Sequence, residues 1–401
     1  MPTHRTTSAE VRSIVIPVVA GIGNALMAEP MVRVIGDVLP GAQVTIVARL
    51  GVYAECFAHL RHVTRSIVSG PTLRGMLRAQ REVRRLRADV FLVPFPSNRW
   101  EYSLLAATSG ARRRILHAYP VGYFKALHFL WTERIAAWTH LHDVEQNTGL
   151  LVALTGTKER HTAPFFGLND DAEAQGRQLW QEAGLPHDAT PIVMHAGSGK
   201  TLVGRVKRWP PERYGRLIDA LHADGHEVLM LEGPDEAGVA QEVVRHVAGR
   251  PPYVLRLRGK LAAAAAVLQR CRLYVGTDSG LAHLAAAVGT APVTFFGPAD
   301  PNRIAPYGYR HLVLQADHPH ANCLMYPWQS AKPKLRVPEA SAVEAIEALT
   351  LPEVLTFVRR VLDDPDMSLQ RVPQPSGEGR DTNTNLPPAE AVRPGWHGAS
   401  S

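Results

Sequence analysis

Cysteine is scarce in this 401-residue chain, and Cys56, Cys271 and Cys323 are odd in number, widely spaced and form no C-x-x-C pair. That argues against a disulfide framework or a cysteine zinc site, and the three read as reduced, buried thiols. Long apolar runs are lacking too. The hydrophobic stretches are broken by Arg, His or Pro well short of the ~20 apolar residues a membrane-crossing helix needs, and no signal-peptide pattern opens the chain. A cytoplasmic protein is expected. Histidine is plentiful at 18, yet the close pairs His59/His62, His140/His142 and His318/His320 have no Cys or acidic cluster at ligand spacing, so no structural metal is expected. No unit of about 20 to 50 residues repeats, which argues against a solenoid.

What is present is a globular composition, 45% hydrophobic and 20% charged. The length suits two domains of about 150 to 200 residues, each with its own core. The net charge of +7 is uneven: residues 1–160 hold 20 Lys and Arg against 11 Asp and Glu, and the remainder 24 against 26. The basic first half suits a phosphorylated acceptor or an anionic membrane surface. A very basic helix is expected over 72–87, with Leu73, Met76, Leu77, Val83 and Leu86 as its buried stripe. It matches no nucleic-acid recognition module, so no nucleic-acid partner is expected.

Strands and helices alternate along the chain. SIVIPVV over 13–19 runs into a turn at Gly21 and Gly23 and then a helix with Leu26, Met27, Met31, Val34 and Ile35 on one side, the opening of a Rossmann-like unit. Leu26 stands where a dinucleotide fingerprint needs its third glycine, so neither NAD nor FAD is expected and no cofactor is assigned. Strands at 43–48 and 89–93 and helices at 72–87 and near 102–109 argue for a parallel sheet covered on both faces. Residues 111–138 interleave basic side chains with Tyr119, Tyr123, Phe124, Phe129, Trp131 and Trp138. They suit a headgroup-level surface or sugar platform, or else a helix whose aromatic face is core. A second alternating series follows: helix 172–183, strand 191–195, helix 211–223, strand 227–231, strand 273–275, helix 280–288, strands 292–296 and 311–314, and helices 337–349 and 352–362. From about residue 366 the chain is rich in Pro, Gly, Ser and Asn without apolar periodicity and is expected to be disordered.

Residues 273–308, LYVGTDSGLAHLAAAVGTAPVTFFGPADPNRIAPYG, read as strand, polar turn, small-residue helix, strand and Gly-Pro-rich loop. Ser279 sits where an N-cap should, and Gly280 lets a ligand approach the first amides of the helix, where the dipole is positive; such a site suits phosphate. Asp278 and His283 flank that helix start. The turn from His195 through Gly197 and Ser198 to Gly199 also offers unobstructed amides for an oxyanion, although the P-loop spacing fails. No D-x-D lies on a strand-end loop, and the D-P-D of Asp364 and Asp366 is terminal. A bound phosphate would then be met by protein cations and amides, and no divalent metal is expected.

These residues carry a resemblance. D-S-G-L-A-H-L-A-A-A over 278–287, followed by F-F-G-P-A-D-P and P-Y-G, resembles the signature of the heptosyltransferase family of lipopolysaccharide assembly, glycosyltransferase family 9. The resemblance implies a GT-B fold, two Rossmann-like doubly wound parallel-sheet domains facing a cleft. It also implies inverting transfer of heptose or a related sugar from a nucleotide diphosphate donor, ADP-heptose in the best-known members, to a cell-envelope or lipid-linked glycan. The basic first domain would be the acceptor side, in peripheral contact with the inner face of the cytoplasmic membrane.

The sequence Lys207-Arg208-Trp209-Pro210 resembles the family's K-x-W-P element, whose lysine contacts the donor diphosphate; Lys200 and Arg205 are alternative cations nearby. An acidic residue after strand 227–231 meets the ribose in the family, and Glu236 fits best, Glu232 second, since a carboxylate can accept from two vicinal hydroxyls. The implied donor site is therefore His195, Gly197, Ser198, Gly199, Lys207, Glu236, Asp278, Ser279, Gly280, Leu281 and His283. Catalytic roles fall to Lys207, Asp278 and His283. Residues 142–156 resemble the helix before the family's interdomain linker. The domains are then 12–165 on the acceptor side and 172–350 on the nucleotide-sugar side, a last helix at 351–365 crossing back to the first domain, and terminal segments 1–11 and 366–401. One departure stands out. The family's Gly-rich loop ends in Gly-Asp, with that Asp proposed as general base, and here the pair is Gly23-Asn24. An amide has no useful basicity, and Glu29 lies about 140° further round a helix. Asn24 marks the position of the base without supplying it, and the alternative is a catalytically silent nucleotide-sugar or glycan-binding relative.

Overall fold

The computed structural model describes residues 11–18, 21–119, 121–138, 140–157, 161–199, 201–258, 260–325 and 334–369. Two six-stranded sheets, parallel throughout, organise it. The first contains β1 (Ser13–Val18), β2 (Gln43–Ala48), β3 (Val63–Val68), β4 (Val90–Leu92), β5 (Arg113–Ala118) and β6 (Glu133–Ala136), in the order β3-β2-β1-β4-β5-β6. The second contains β7 (Ile192–His195), β8 (Val228–Glu232), β9 (Tyr253–Arg256), β10 (Leu273–Thr277), β11 (Pro292–Phe296) and β12 (Val313–Gln315), in the order β12-β11-β10-β7-β8-β9. Each is the doubly wound Rossmann order. The central strands are near-continuous apolar runs because helices cover both faces, and β8, β10 and β11 are buried at every residue.

Two edge regions depart from the expected pattern. β3, VTRSIV, is a solvent-facing edge strand with Arg65 in its middle, and no apolar run marks it. Residues 111–138 form not a helix but β5 and β6 with an irregular connection. Arg113 makes a two-pronged pair with Glu133 across them, at 2.6 and 2.8 Å, and the Arg114 Nε donates to the Leu130 carbonyl. The aromatic residues divide: Tyr119 and Trp131 are core, while Phe124, Phe129 and Trp138 are exposed.

The helix Leu73–Leu86 is capped by Thr72, whose hydroxyl accepts from the Gly75 amide. Its expected stripe is corrected. Ala79 and Val83 are buried and Leu86 partly so, but Leu73, Met76 and Leu77 are exposed, because only the C-terminal half of the helix lies over the sheet. A second correction concerns the last long helix, Leu351–Asp363. Its buried face, Val354, Val358, Val361 and Leu362, packs on the second domain with Leu217, Ile218 and Leu221 of helix Pro211–Ala223. Arg359 pairs with Asp224 at 2.8 Å and Arg272 donates to the Leu362 carbonyl, so this helix does not cross back to the first domain. The i, i+4, i+7 spacing shows that a face is buried but not against what. Pro365–Leu369 form one further helical turn where an unstructured tail was expected to begin, and residues 370–401 lie outside those described.

Between the domains, Glu29 is fully buried in helix Ile22–Val38. It binds Arg33 and His59 and accepts from the Phe165 amide, while Arg33 donates to the Ala163 carbonyl, so together they hold the connecting segment. The first turns of helices Ile22–Val38 and Gly280–Val288 meet, with Gly280 against Ile22.

Candidate functional site

A cavity of about 950 Å³ opens at the carboxyl ends of both sheets and is lined from both domains. On the second domain it lies where β7 and β10 adjoin and the strand order reverses, the place where open α/β sheets bind ligands.

The turn after β7 is built around a buried carboxylate. Glu236 accepts from the Gly199 amide at 2.6 Å, and its other oxygen lies 2.6 Å from His195 Nε2. Burial opposes the charge of Glu236, but the His195 contact and the Gly199 and Gly233 amides outweigh it and hold its pKa at about 2. A Cβ on Gly197 would stand 2.2 Å from the Glu236 carboxyl carbon, so only glycine lets the chain pass here. Glu236 thus lines the cavity with both oxygens committed to shaping the turn. Glu232 is elsewhere: it accepts from the Gly238 and Ala240 amides and pairs with Arg256.

The hydroxyl of Ser279 does not cap its own helix. It lies 3.2 Å from His195 Nδ1 and 3.1 Å from the Tyr274 hydroxyl, which leaves the first-turn amides of Gly280–Val288 without a side-chain cap. Ser198 donates to the Asp278 carbonyl at 2.9 Å and ties the two strand-end turns together. Lys207 Nζ lies 2.6 Å from Asp278 Oδ2, with the two side chains 14% and 6% exposed. The adjoining Trp209 is core, its Nε1 donating to the Leu349 carbonyl, and Pro210 leads into helix Pro211–Ala223, so Lys207 is set on a rigid base. His283 is buried; that burial, opposed by Asp278 and reinforced by Lys207, lowers its pKa to about 4. It is therefore neutral at neutral pH, able to form hydrogen bonds but not to act as a cation. Its ring packs on the first domain, 3.0 Å from where a Cβ of Gly23 would be.

The cavity therefore gathers Asn24, His195, Ser198, Gly199, Lys207 and Glu236 with Asp278, Ser279, Gly280, Leu281 and His283. Gly197 stands behind the wall. Of the alternative cations, Arg205 is exposed and pairs with Glu339 at 3.3 Å, and Lys200 lies outside the described residues. Glu29 is bound into the connecting segment and unavailable as a base. Sequence reasoning missed Tyr53, Asn98, Arg99, Asp143, Asp235 and Lys260, which also line the cavity. They stand on unrelated loops and helix starts, and only the resemblance over 142–156 and the acidic loop after 227–231 gave any signal.

Two Rossmann-like domains facing a cleft, with a lysine and an open helix start at the strand ends, define a GT-B protein. The model of glycosyltransferase family 9 (heptosyltransferase) matches residues 77–332, and the chain belongs to that family. It is 26% identical over 228 residues to lipopolysaccharide heptosyltransferase 3 of Escherichia coli K12, a match that spans 54% of this chain and 62% of the relative. The fold resembles that of E. coli ADP-heptose lps heptosyltransferase II, with a TM-score of 0.67 at 17% identity, covering 88% of this chain and 99% of that one. It also resembles E. coli heptosyltransferase WaaC with ADP, with a TM-score of 0.62 at 18% identity over 87% and 99% of the two chains.

Proposed function

We propose that this chain is an inverting glycosyltransferase that moves heptose from ADP-heptose to a lipid-linked lipopolysaccharide acceptor. The observation that carries the reading is the buried Lys207–Asp278 pair beside an uncapped helix start, within the stretch matched by the family. Inverting transfer needs a base for the acceptor hydroxyl and compensation for charge growing on the departing diphosphate. The second domain is suited to the latter. Lys207 and the amides of Gly280 and Leu281 would meet the diphosphate, Asp278 would orient Lys207 and the sugar hydroxyls, and neutral His283 would donate a hydrogen bond. Exposed Asp235, at the cavity rim, is better placed than Glu236 to accept from the ribose, since the carboxylate of Glu236 is already engaged. Support for the donor comes from the relatives named as lipopolysaccharide heptosyltransferases and from the similar fold solved with ADP.

The acceptor would enter from the first domain. Exposed Leu73, Met76 and Leu77 share a helix with exposed Arg74, Arg78, Arg81, Arg84 and Arg85, a combination suited to an anionic bilayer. Among the described residues no helix is long and apolar enough to cross a membrane.

A thermal-shift screen of ADP-, GDP-, UDP- and dTDP-sugars tests the donor, because a ligand that prefers the native state raises its melting temperature. ADP-heptose should give the largest rise. A larger rise with another nucleotide sugar would replace the donor, and no rise with any would remove the reading. Asn24 favours one other reading, a silent relative that binds the donor without turnover.

A further inference from the structure

The cavity's carboxylates can be sorted by what already holds them. Glu236 is engaged at both oxygens, Asp278 pairs with Lys207, and Glu55 accepts from the Ala262 amide. Asp235 is exposed at the rim of the second domain. Asp143 differs from all of these. It is fully buried, its Oδ1 accepts from the Arg303 guanidinium at 2.8 Å, and its Oδ2 has no hydrogen-bond partner. It opens helix Asp143–Gly149, which packs against helix Ile22–Val38: Asn147, one turn on from Asp143, donates to the carbonyl of Met27, one turn on from Asn24. Both helix starts line the cavity, so a carboxylate stands on the helix next to the one that carries Asn24.

We infer that Asp143 is the general base of this chain, taking over from the helix that carries Asn24 the task an amide cannot perform. The inference rests on the glycosyl-transfer reading. The acceptor hydroxyl oxygen bonds to the anomeric carbon as the bond from that carbon to the diphosphate breaks, its electron pair leaving on the diphosphate oxygen, and the hydroxyl proton passes to Asp143 Oδ2. The Arg303 contact leaves this buried oxygen without a hydrogen-bond partner while fixing the carboxyl group's orientation. Burial, partly offset by Arg303 and reinforced by Asp300, lifts the Asp143 carboxyl to about 6, a useful basicity near neutral pH. The other titratable groups nearby are Tyr119, His142 and Glu145, and burial keeps Tyr119 and His142 uncharged at neutral pH.

The test uses the full chain, ADP-heptose, and lipopolysaccharide prepared with and without inner-core heptose. Asp143→Asn, which can still accept from Arg303, should lower turnover about 10²- to 10⁴-fold, the usual weight of general-base catalysis, while the donor-induced thermal shift stays as in the wild type. Adding Asn24→Asp to that variant should restore part of the rate and move the acid limb of the pH profile below its wild-type position near pH 6, which a merely structural role would not do. Asp143→Asn with near wild-type turnover overturns the assignment. So does loss of the donor shift along with activity, or a double variant as inert as the single one. A wild type that shows the donor shift but no turnover overturns it too and favours the silent relative. A wild type with neither removes the donor reading itself.

Discussion

Lys207 and Asp278 are only as useful as their burial makes them. At 2.6 Å and largely out of water, the pair is stronger than a surface ion pair and costly to break from one side. If the lysine stabilises the leaving diphosphate, Lys207→Ala should cost about 10²- to 10³-fold in turnover, the usual loss on removing one charge-stabilising group. Asp278→Ala should cost a similar factor by releasing the lysine. The two losses should not add in the double variant, because the residues act as one unit. Steady-state transfer assays check this, and full activity in either single variant would contradict it.

Elements follow the same logic of placement. The second-domain site was legible because its residues are local: Asp278, Ser279, Gly280 and His283 share one strand end and helix start, and Lys207 is fixed by the neighbouring Trp209 and Pro210. The near-continuous apolar runs of β1, β2, β10 and β11 were equally readable. Illegible were features that depend on what an element packs against. The helix at Leu351–Asp363 announces a buried face but not its partner, β3 hides behind its edge-strand arginine, and Asp143 acquires meaning only when Arg303 of the other domain meets it. The exposed end of Leu73–Leu86 is the informative surprise. Leu73→Glu with Leu77→Glu should leave the melting temperature within about 2 °C, as surface substitutions usually cost little, yet weaken co-sedimentation with phosphatidylglycerol vesicles several-fold. Unchanged vesicle binding would leave the basic helix a solvated face.

At the scale of the whole molecule, the two domains meet through buried polar contacts as well as apolar ones. His142 Nε2 lies 2.8 Å from the Ala305 carbonyl, Tyr307 donates to Glu145, and Arg303 reaches Asp143. Buried histidines set a pH dependence. Burial lowers His117 and His283 to about 4 and His142 to about 3, so the native state stays unprotonated where the unfolded chain binds protons. Stability should therefore fall as pH drops from about 6.5 towards 4. Asp143, raised to about 6, acts in the opposite sense, since its protonation as pH falls favours the folded state. The three histidines outnumber it, and the melting temperature should decline across that window; a flat profile would show that these rings are not held as described. The most direct test of the central claim, that the ends of β7 and β10 hold a nucleotide diphosphate through main-chain NH groups and Lys207, is amide hydrogen exchange with and without ADP. Protection should rise at 196–199 and 279–283 and disappear in Lys207→Ala, whereas protection confined to the first domain, or none at a saturating concentration, would contradict it.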